Sequence, residues 1–540
     1  MKTETSSTRL LHVAHAKVLV ADALSASGMS ILRQGGLQAE AQSGLSEVQL
    51  CEIIGAYDGL IVRSATQVTA KVLEAGKRLQ LIGRAGVGVD NIDVKSATQL
   101  GIVVQNTPFG NITAAAEHAI ALLFAAARNI ARADREMKAG QWPKKGLTGV
   151  ELSGKTLGIV GMGKVGSIVS RVAKALDMQI LVFDPYLTER KAEELGVSKS
   201  ELDPLLERAD FVTIHAPLTS ETRGLIGKER LARMKRSARL VNAARGGIVV
   251  EADLASALET GVIAGAGLDV FETEPLPAAS PLRGLSALIL TPHLGASTEE
   301  AQERVAEDIA RQFVDFFRDG IIRNAVNTSV ILDPKIAPFA RLAELLGSMG
   351  TQMAKGPIRT LKLGAYGKLA LGETKVLGLC ALKGVLARTS GSPVTLVNAP
   401  IIAEARGIEL IEHRSEKTPN YASLLVVALE TETDEHTLAG TCFDDRQARI
   451  VRIDDFDIDL KPAAHILLMF YPDQPGMIGK FGTILGEADI NIANMAVGRR
   501  EKRGQAVVAL TLDDPVPPEV IERLKKAARI DELDVIELKA

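Results

Sequence analysis

Residues 155–186 read KTLGIVGMGKVGSIVSRVAKALDMQILVFDPY, and that stretch decides the fold. A β-rich run, TLGIV, enters GMGKVG and leaves as an apolar helical pattern, SIVSRVAKAL. Gly161, Gly163 and Gly166 thus stand in a G-x-G-x-x-G turn between strand and helix. The first glycine permits the tight turn, the second lets backbone approach a pyrophosphate, and the third lets the helix pack on the strand. The helix N-terminus then faces the anion. The next run, MQILVFD, ends in Asp184, eighteen positions after Gly166 and close to the spacing of about 20 at which an acid meets a ribose 2′-hydroxyl. That carboxylate repels a 2′-phosphate, and Pro185 and Tyr186 offer no cation to receive one. The stretch predicts a βαβ unit that takes NAD in preference to NADP.

Outward from it, the same alternation continues through FVTIHAP, ARLVNAAR, GAGLDVF and ALILTPH, giving six strands of a doubly wound domain. An earlier series (KVLVAD, DGLIVRS, LQLIGRAG, IVVQN) predicts a second parallel sheet. One long helix is expected from Thr113 to Trp142 as a connector, and another over 298–317 that returns to the first lobe and makes it discontinuous. Two Rossmann-like α/β lobes with a cleft are the result. Past residue 325 the texture changes to shorter apolar runs among Gly and Pro, a mixed α+β domain without a chemical motif. The last runs (HILLMFY, PGMIGKFGTILGEAD, INIANMAVG, GQAVVALTLDD, PPEVIERLKKAARI, ELDVIELK) follow the βαββαβ order of a ferredoxin-like domain. The expected division is a flexible tail (1–16), a substrate-binding lobe (17–112 with 298–326), a cofactor domain (113–297), an intervening domain (327–459) and a terminal domain (460–540).

Composition narrows the function classes. Lys plus Arg number 63 against 66 Asp plus Glu in 540 residues, a net charge of -3, so no basic field is present to hold nucleic acid. Hydrophobic residues at 46% and charged residues at 24% are globular values. Cys51, Cys380 and Cys442 form no CxxC pair, which argues against a disulfide framework or a structural metal and for a reducing, cytoplasmic setting. The first fifteen residues lack the apolar core of a secretory signal, and no run reaches 18 apolar residues, so no membrane association is expected.

Hydride chemistry at a ketone or alcohol needs a substrate anchor and a proton carrier beside the cofactor. Arg245 in VNAARGGIVV follows a strand, and its planar fork suits a carboxylate, although a surface ion pair is the plainer reading. His293 in LTPHLGAS also ends a strand and is a candidate acid/base, or a structural histidine. Glu274 in DVFETEP could orient it, as the acid of a catalytic triad orients its histidine.

The blocks RAGVGVDNID (84–93), GMGKVG, NAARGGIV, GLDVFETEP and PHLGAS resemble, in order, those of the D-isomer-specific 2-hydroxyacid dehydrogenases. The resemblance spans about residues 17–327, and YPDQPGMIGKFGTILGEADINIANM (471–495) resembles an ACT domain, as in the family's long type. It implies catalysis by Arg245 (carboxylate anchor), His293 (acid/base) and Glu274 (its partner). For NAD it implies Gly161, Gly163, Lys164, Val165, Gly166, Asp184, Ala216, Ala243, Ala244, Arg245, Asp269, His293, Leu294, Gly295 and Ala296. Many relatives carry threonine at the Ala216 position, so only a backbone contact survives there. Arg63, Ser64 and Arg84 are implied for a substrate phosphate, with Lys144 and Lys145 reaching across a dimer interface, where Trp142 could equally be a hydrophobic anchor. Tyr471, Asp473 and Asn491 are implied as an L-serine effector site. The implied reaction is NAD-dependent oxidation of 3-phospho-D-glycerate to 3-phosphohydroxypyruvate, inhibited by serine, in a dimer or tetramer. Its rivals are a glyoxylate or hydroxypyruvate reductase and a non-catalytic NAD or amino-acid sensor.

Overall fold

The computed structural model describes residues 16–328, 336–390, 393–418, 420–443, 447–528, 530 and 532–538. The expected tail therefore lies, but for Ala16, outside the described residues. Four sheets organise the chain. The first, in order β2-β1-β3-β4-β5, joins β1 (Lys17–Val20), β2 (Gln38–Ala41), β3 (Gly59–Val62), β4 (Leu81–Arg84) and β5 (Val103–Asn106), all parallel. The second runs β12-β11-β10-β9-β6-β7-β8 and is again parallel throughout. Its strands are β6 (Thr156–Val160), β7 (Gln179–Phe183), β8 (Ser198–Lys199), β9 (Phe211–Ile214), β10 (Arg239–Asn242), β11 (Gly265–Leu268) and β12 (Leu288–Leu290). Strands such as β3, β9, β10 and β11 are buried at every position, as a parallel sheet covered on both faces requires.

Both doubly wound sheets expected from the alternation are present, each with one strand the pattern did not reveal. QAEA at β2 is mostly exposed and carries little apolar signal, and β8 is only two residues long. The helix expected over 113–142 is broken. Ile112–Arg128 ends at Asn129, whose φ of 56° is left-handed, and a second helix covers Ile130–Lys138. Asparagine tolerates that conformation, and its Nδ2 donates to the carbonyls of Leu147 and Thr148, which fixes the break. Trp142 lies beyond both helices and is 81% exposed.

The third sheet, β14-β13-β15-β16-β17-β18, is mixed. It comprises β13 (Thr360–Gly367), β14 (Glu409–Ser415), β15 (Ser423–Glu430), β16 (Glu435–Phe443), β17 (Gln447–Ile453) and β18 (Phe456–Leu460); β13 and β14 are parallel and the remaining pairs antiparallel. The helices Ala337–Met353 and Lys375–Leu386 pack together beside it so closely that a Cβ on Gly347 would stand 2.2 Å from the Ala381 carbonyl oxygen. The terminal domain keeps the expected βαββαβ order: β19 (His465–Pro472), a helix Met477–Glu487, β20 (Ile492–Arg499), β21 (Gln505–Leu512), a helix Pro518–Ala528 and β22 (Glu532–Glu537), in antiparallel order β20-β21-β19-β22.

The chain falls into two compact units, Thr107–Asp308 and the remainder, with the division inside the helix Glu299–Asp319. Past that point, Ile309 and Phe313 are fully buried against the first sheet: a Cβ on Gly83 would come within 2.3 Å of the Phe313 ring and 2.8 Å of Ile309. Glycine is what lets the helix lie that close to β4.

Candidate active site

Within Thr107–Asp308, the sheet order reverses between β6 and β9, and ligand groups of doubly wound folds gather beyond the strand ends at such a point. Gly161 leaves β6 with φ 96°, and a Cβ there would meet the His215 carbonyl oxygen at 2.7 Å. A Cβ on Gly166 would sit 2.2 Å from the Gly161 carbonyl oxygen, whereas one on Gly163 would meet nothing within 4 Å. The first and third glycines thus close the turn, and the second leaves open space at the N-terminus of the helix Lys164–Ala175. Such an open helix N-terminus has the room and the amide groups that a pyrophosphate needs. Asp184 accepts from the backbone N–H of Met162 (2.7 Å) and of Tyr186 (2.8 Å), which ties the carboxylate to the glycine turn. Lys164 Nζ lies 3.1 Å from the Phe109 ring centroid, a cation–π contact. Ala216 follows β9 beside Gly161, and the neighbouring His215 is held neutral by burial, its pKa pushed down to about 4.

Three strand ends supply the remaining groups. After β10, Asn242 donates from Nδ2 to the Arg245 carbonyl oxygen (2.9 Å) and accepts from the Ala244 N–H (3.1 Å), folding 243–245 into a tight turn; Arg245 Nη1 donates to the Ala244 carbonyl oxygen. After β11, the loop carries Glu274, whose Oε1 accepts from the Phe271 N–H at 3.0 Å. After β12, His293 stands at φ 56°, a left-handed conformation rare outside glycine, and its Nδ1 lies 2.6 Å from Glu274 Oε2. Burial by itself would raise the Glu274 pKa, but the His293 ring and the Phe271 amide outweigh it and hold the carboxyl below its ordinary value. Asp269, fully buried, accepts from Thr291 Oγ1 (2.6 Å), Leu294 N–H (2.7 Å) and Gly295 N–H (2.8 Å). Burial would raise it too, and hydrogen bonds led by those from His118 and Thr291 bring it below its ordinary value. Ala296 lies in the turn closed by Ser297 N–H on the Leu294 carbonyl.

Arg63, Ser64 and Arg84 belong to the other compact unit, and Lys144 and Lys145 are exposed in this one. The Arg63 loop is braced by Asp22, which accepts from the Arg63 and Thr66 N–H groups, and by Asn91, which donates to the Arg63 and Thr66 carbonyls. Gly86 makes room for Arg84, since a Cβ there would overlap its guanidinium. In the terminal domain Tyr471 is buried, its ring 5.2 Å from Phe481, so it builds the core. Asn491 is exposed and donates to Asp513 at 2.7 Å, while Asp473 accepts from the Arg503 N–H. An open groove of about 470 Å³ lies between the two helices, lined by Gly476, Gly479, Lys480, Thr483, Ile484 and Ala527, none of them among the three residues implied for serine.

Sequence reasoning missed Asn242, Thr291, Asp22, Asn91 and His118. The available signal was position: Asn242 ends β10 and Thr291 follows β12, where polar side chains organise loops. Among the described residues, no helix is long and apolar enough to cross a membrane, and no group of His, Cys, Asp and Glu could hold a metal ion.

Three family models match the chain: the D-isomer specific 2-hydroxyacid dehydrogenase NAD binding domain (120–295), the D-3-phosphoglycerate dehydrogenase intervening domain (335–454) and the ACT domain (465–529). Among curated relatives, the D-3-phosphoglycerate dehydrogenase of Synechocystis is 44% identical over 97% of this chain and 95% of its own, and that of Archaeoglobus fulgidus 43% over 97% and 100%. Among solved structures, the TT0316 protein of Thermus thermophilus matches 57% of this chain and 99% of its own at TM-score 0.53 and 35% identity. The NAD+-bound 3-phosphoglycerate dehydrogenase of Entamoeba histolytica matches 59% and 100% at TM-score 0.50 and 28% identity.

Proposed function

The chain belongs to the D-isomer-specific 2-hydroxyacid dehydrogenases, and from that premise we propose that it oxidises 3-phospho-D-glycerate at C2 to 3-phosphohydroxypyruvate with NAD, the step that feeds serine synthesis. The observation that carries the reading is the 2.6 Å pair of His293 and Glu274 in the same domain as Arg245 and a glycine turn shaped for a dinucleotide. Bound NAD supplies the hydride acceptor. His293 donates its Nδ1–H to Glu274, which leaves the Nε2 lone pair to take the substrate hydroxyl proton, and Glu274 stabilises the imidazolium that results. In the reverse direction the imidazolium returns that proton to the ketone oxygen. Arg245 grips the substrate carboxylate with its fork. Resemblance assigns Arg63, Ser64 and Arg84 to the substrate phosphate, and Lys144 and Lys145 to a reach across a dimer interface.

Further parts of the reading rest on resemblance and composition. The same reading divides the chain into a substrate-binding lobe (17–112, 298–326), a cofactor domain (113–297), an intervening domain (327–459) and an ACT domain (460–540). A homo-oligomer is supported by the exposed Trp142 indole, a side chain that interfaces favour. Serine acts at the ACT domain, where Asp473 and Asn491 offer an acid and an amide, and a cytoplasmic setting suits a sequence of three cysteines with no CxxC spacing.

Purified protein with 3-phosphoglycerate and NAD is expected to form NADH, with glycerate and other 2-hydroxyacids turned over poorly and L-serine suppressing the rate. Preferential turnover of unphosphorylated acids would favour the reductase reading, and NAD binding without turnover the sensor. Asp184→Ala is expected to raise the KM for NAD about ten- to a hundredfold, the size of losing hydrogen bonds to a charged group, while the KM for NADP rises far less. Parallel KM measurements with the two cofactors check it.

A further inference from the structure

We propose that His118 is a positioning residue: its Nε2–H holds the buried Asp269 carboxylate in place, and that carboxylate sets the backbone of the loop that presents His293. The helix Ile112–Arg128 crosses β11 closely enough that a Cβ on Gly267 would lie 3.4 Å from Leu122 Cβ, which brings His118 to the end of that strand. There its Nε2 is 3.1 Å from Asp269 Oδ1 and 3.1 Å from Thr291 Oγ1, with the side chain 19% exposed and the carboxylate not at all. A buried carboxylate is stable only when its lone pairs meet donors. Asp269 meets four: the His118 ring, the Thr291 hydroxyl and the Leu294 and Gly295 amides.

Those two amides immediately follow His293, whose left-handed φ of 56° is a conformation that persists only where the surroundings impose it. The chain of support therefore runs from a helix outside the strand-end loops, through one carboxylate, to the backbone flanking the acid/base. Among the described residues, His118 hydrogen-bonds through its ring to Thr291 and Asp269 and to neither Glu274 nor His293, so its action is indirect. Taking away its donor leaves Asp269 short of a partner and loosens Leu294 and Gly295, letting the His293 ring drift from its orientation. The inference deepens the proposed reading and depends on it only for the kinetic consequence.

Hydrogen exchange read by mass spectrometry on peptides covering 291–296 tests this without any substrate, in His118→Ala, His118→Gln and His118→Asn. Glutamine places an amide N–H near the Nε2 position; asparagine mimics the Nδ1 side and falls short of Asp269. The Leu294 and Gly295 amides are expected to exchange at least about tenfold faster in the alanine and asparagine variants, the effect of losing one hydrogen bond to a charged group, and near the parent rate in the glutamine variant. The kcat should fall about tenfold in the same two variants, as misorientation of a reacting group predicts, with a smaller rise in the KM for NAD because Asp269, Leu294 and Gly295 also belong to the set implied for the cofactor. Unchanged exchange at 294–295 in a folded asparagine variant overturns the proposal, as does a glutamine variant no better than asparagine. A rise in KM for NAD at constant kcat also overturns it, because it would assign the contact to cofactor binding. A chain that turned over nothing would count against the proposed activity while the exchange result still decided the role of His118.

Discussion

Replacement of His293 by alanine is expected to lower kcat for 3-phosphoglycerate oxidation by about a hundred- to ten-thousandfold, the range for removing a positioned general base. NADH binding should survive, because the glycine turn and Asp184 that would hold the cofactor lie on β6 and β7, away from the β12 loop. Fluorescence titration with NADH beside steady-state kinetics separates the two effects. Glu274→Gln should cost less and unequally: the amide can still accept from His293 Nδ1–H, but the imidazolium loses its counter-charge. The reductive direction, which begins from imidazolium, is therefore expected to lose more than oxidation. The pair also bears on stability. Because the Glu274 pKa is lowered in the folded chain, its contribution is present above the ordinary carboxylate value and is lost as pH falls through the lowered one. Equal losses in both directions would contradict a charge-stabilising role for Glu274.

Legibility followed from how local the determining physics is. The glycine turn was readable because its three glycines answer constraints set within a single strand-turn-helix, and Asp184 lies at a spacing that one βα unit fixes. His293 and Glu274 were readable as types at strand ends, but their 2.6 Å contact joins two loops and no spacing encodes it. The break at Asn129 escaped because apolar periodicity runs through it, while the left-handed cap depends on carbonyls eighteen and nineteen residues away. The edge strands β2 and β8 escaped for the opposite reason, being too exposed or too short to leave an apolar signature. His118 read only as a polar interruption of an apolar helix, and its partner is 151 residues further along the chain. Tyr471 was legible as a letter of the motif, but the packing of its ring in the core beside Phe481 depends on contacts that the motif does not encode.

Gly246→Ala is expected to lower kcat/KM for the 2-hydroxyacid by at least about a hundredfold, because a displacement of about 1 Å in a reacting constellation has that cost. The reason is a close approach between two backbones. A Cβ on Gly246 would fall 1.8 Å from the Phe271 carbonyl oxygen and 2.9 Å from the Glu272 nitrogen, so the methyl must push apart the turn that carries Arg245 and the loop that carries Glu274. Neither neighbour is a flexible side-chain end that could swing aside. The carboxylate anchor and the partner of His293 would shift against each other, while the open turn at Gly163, on another strand end, keeps its shape. Gly247→Ala is the control. Its φ of 77° makes any side chain strained, by about 1–2 kcal/mol, but the nearest atom a Cβ would meet is Arg223 Nη1 at 3.5 Å, so the two loops need not separate. Thermal unfolding should therefore report a modest loss for Gly247→Ala with most activity kept, and kinetics a far larger loss for Gly246→Ala than its change in Tm accounts for. Comparable activity losses in the two variants would mean that backbone conformation, and not the spacing of the Arg245 and Glu274 loops, is what these glycines protect.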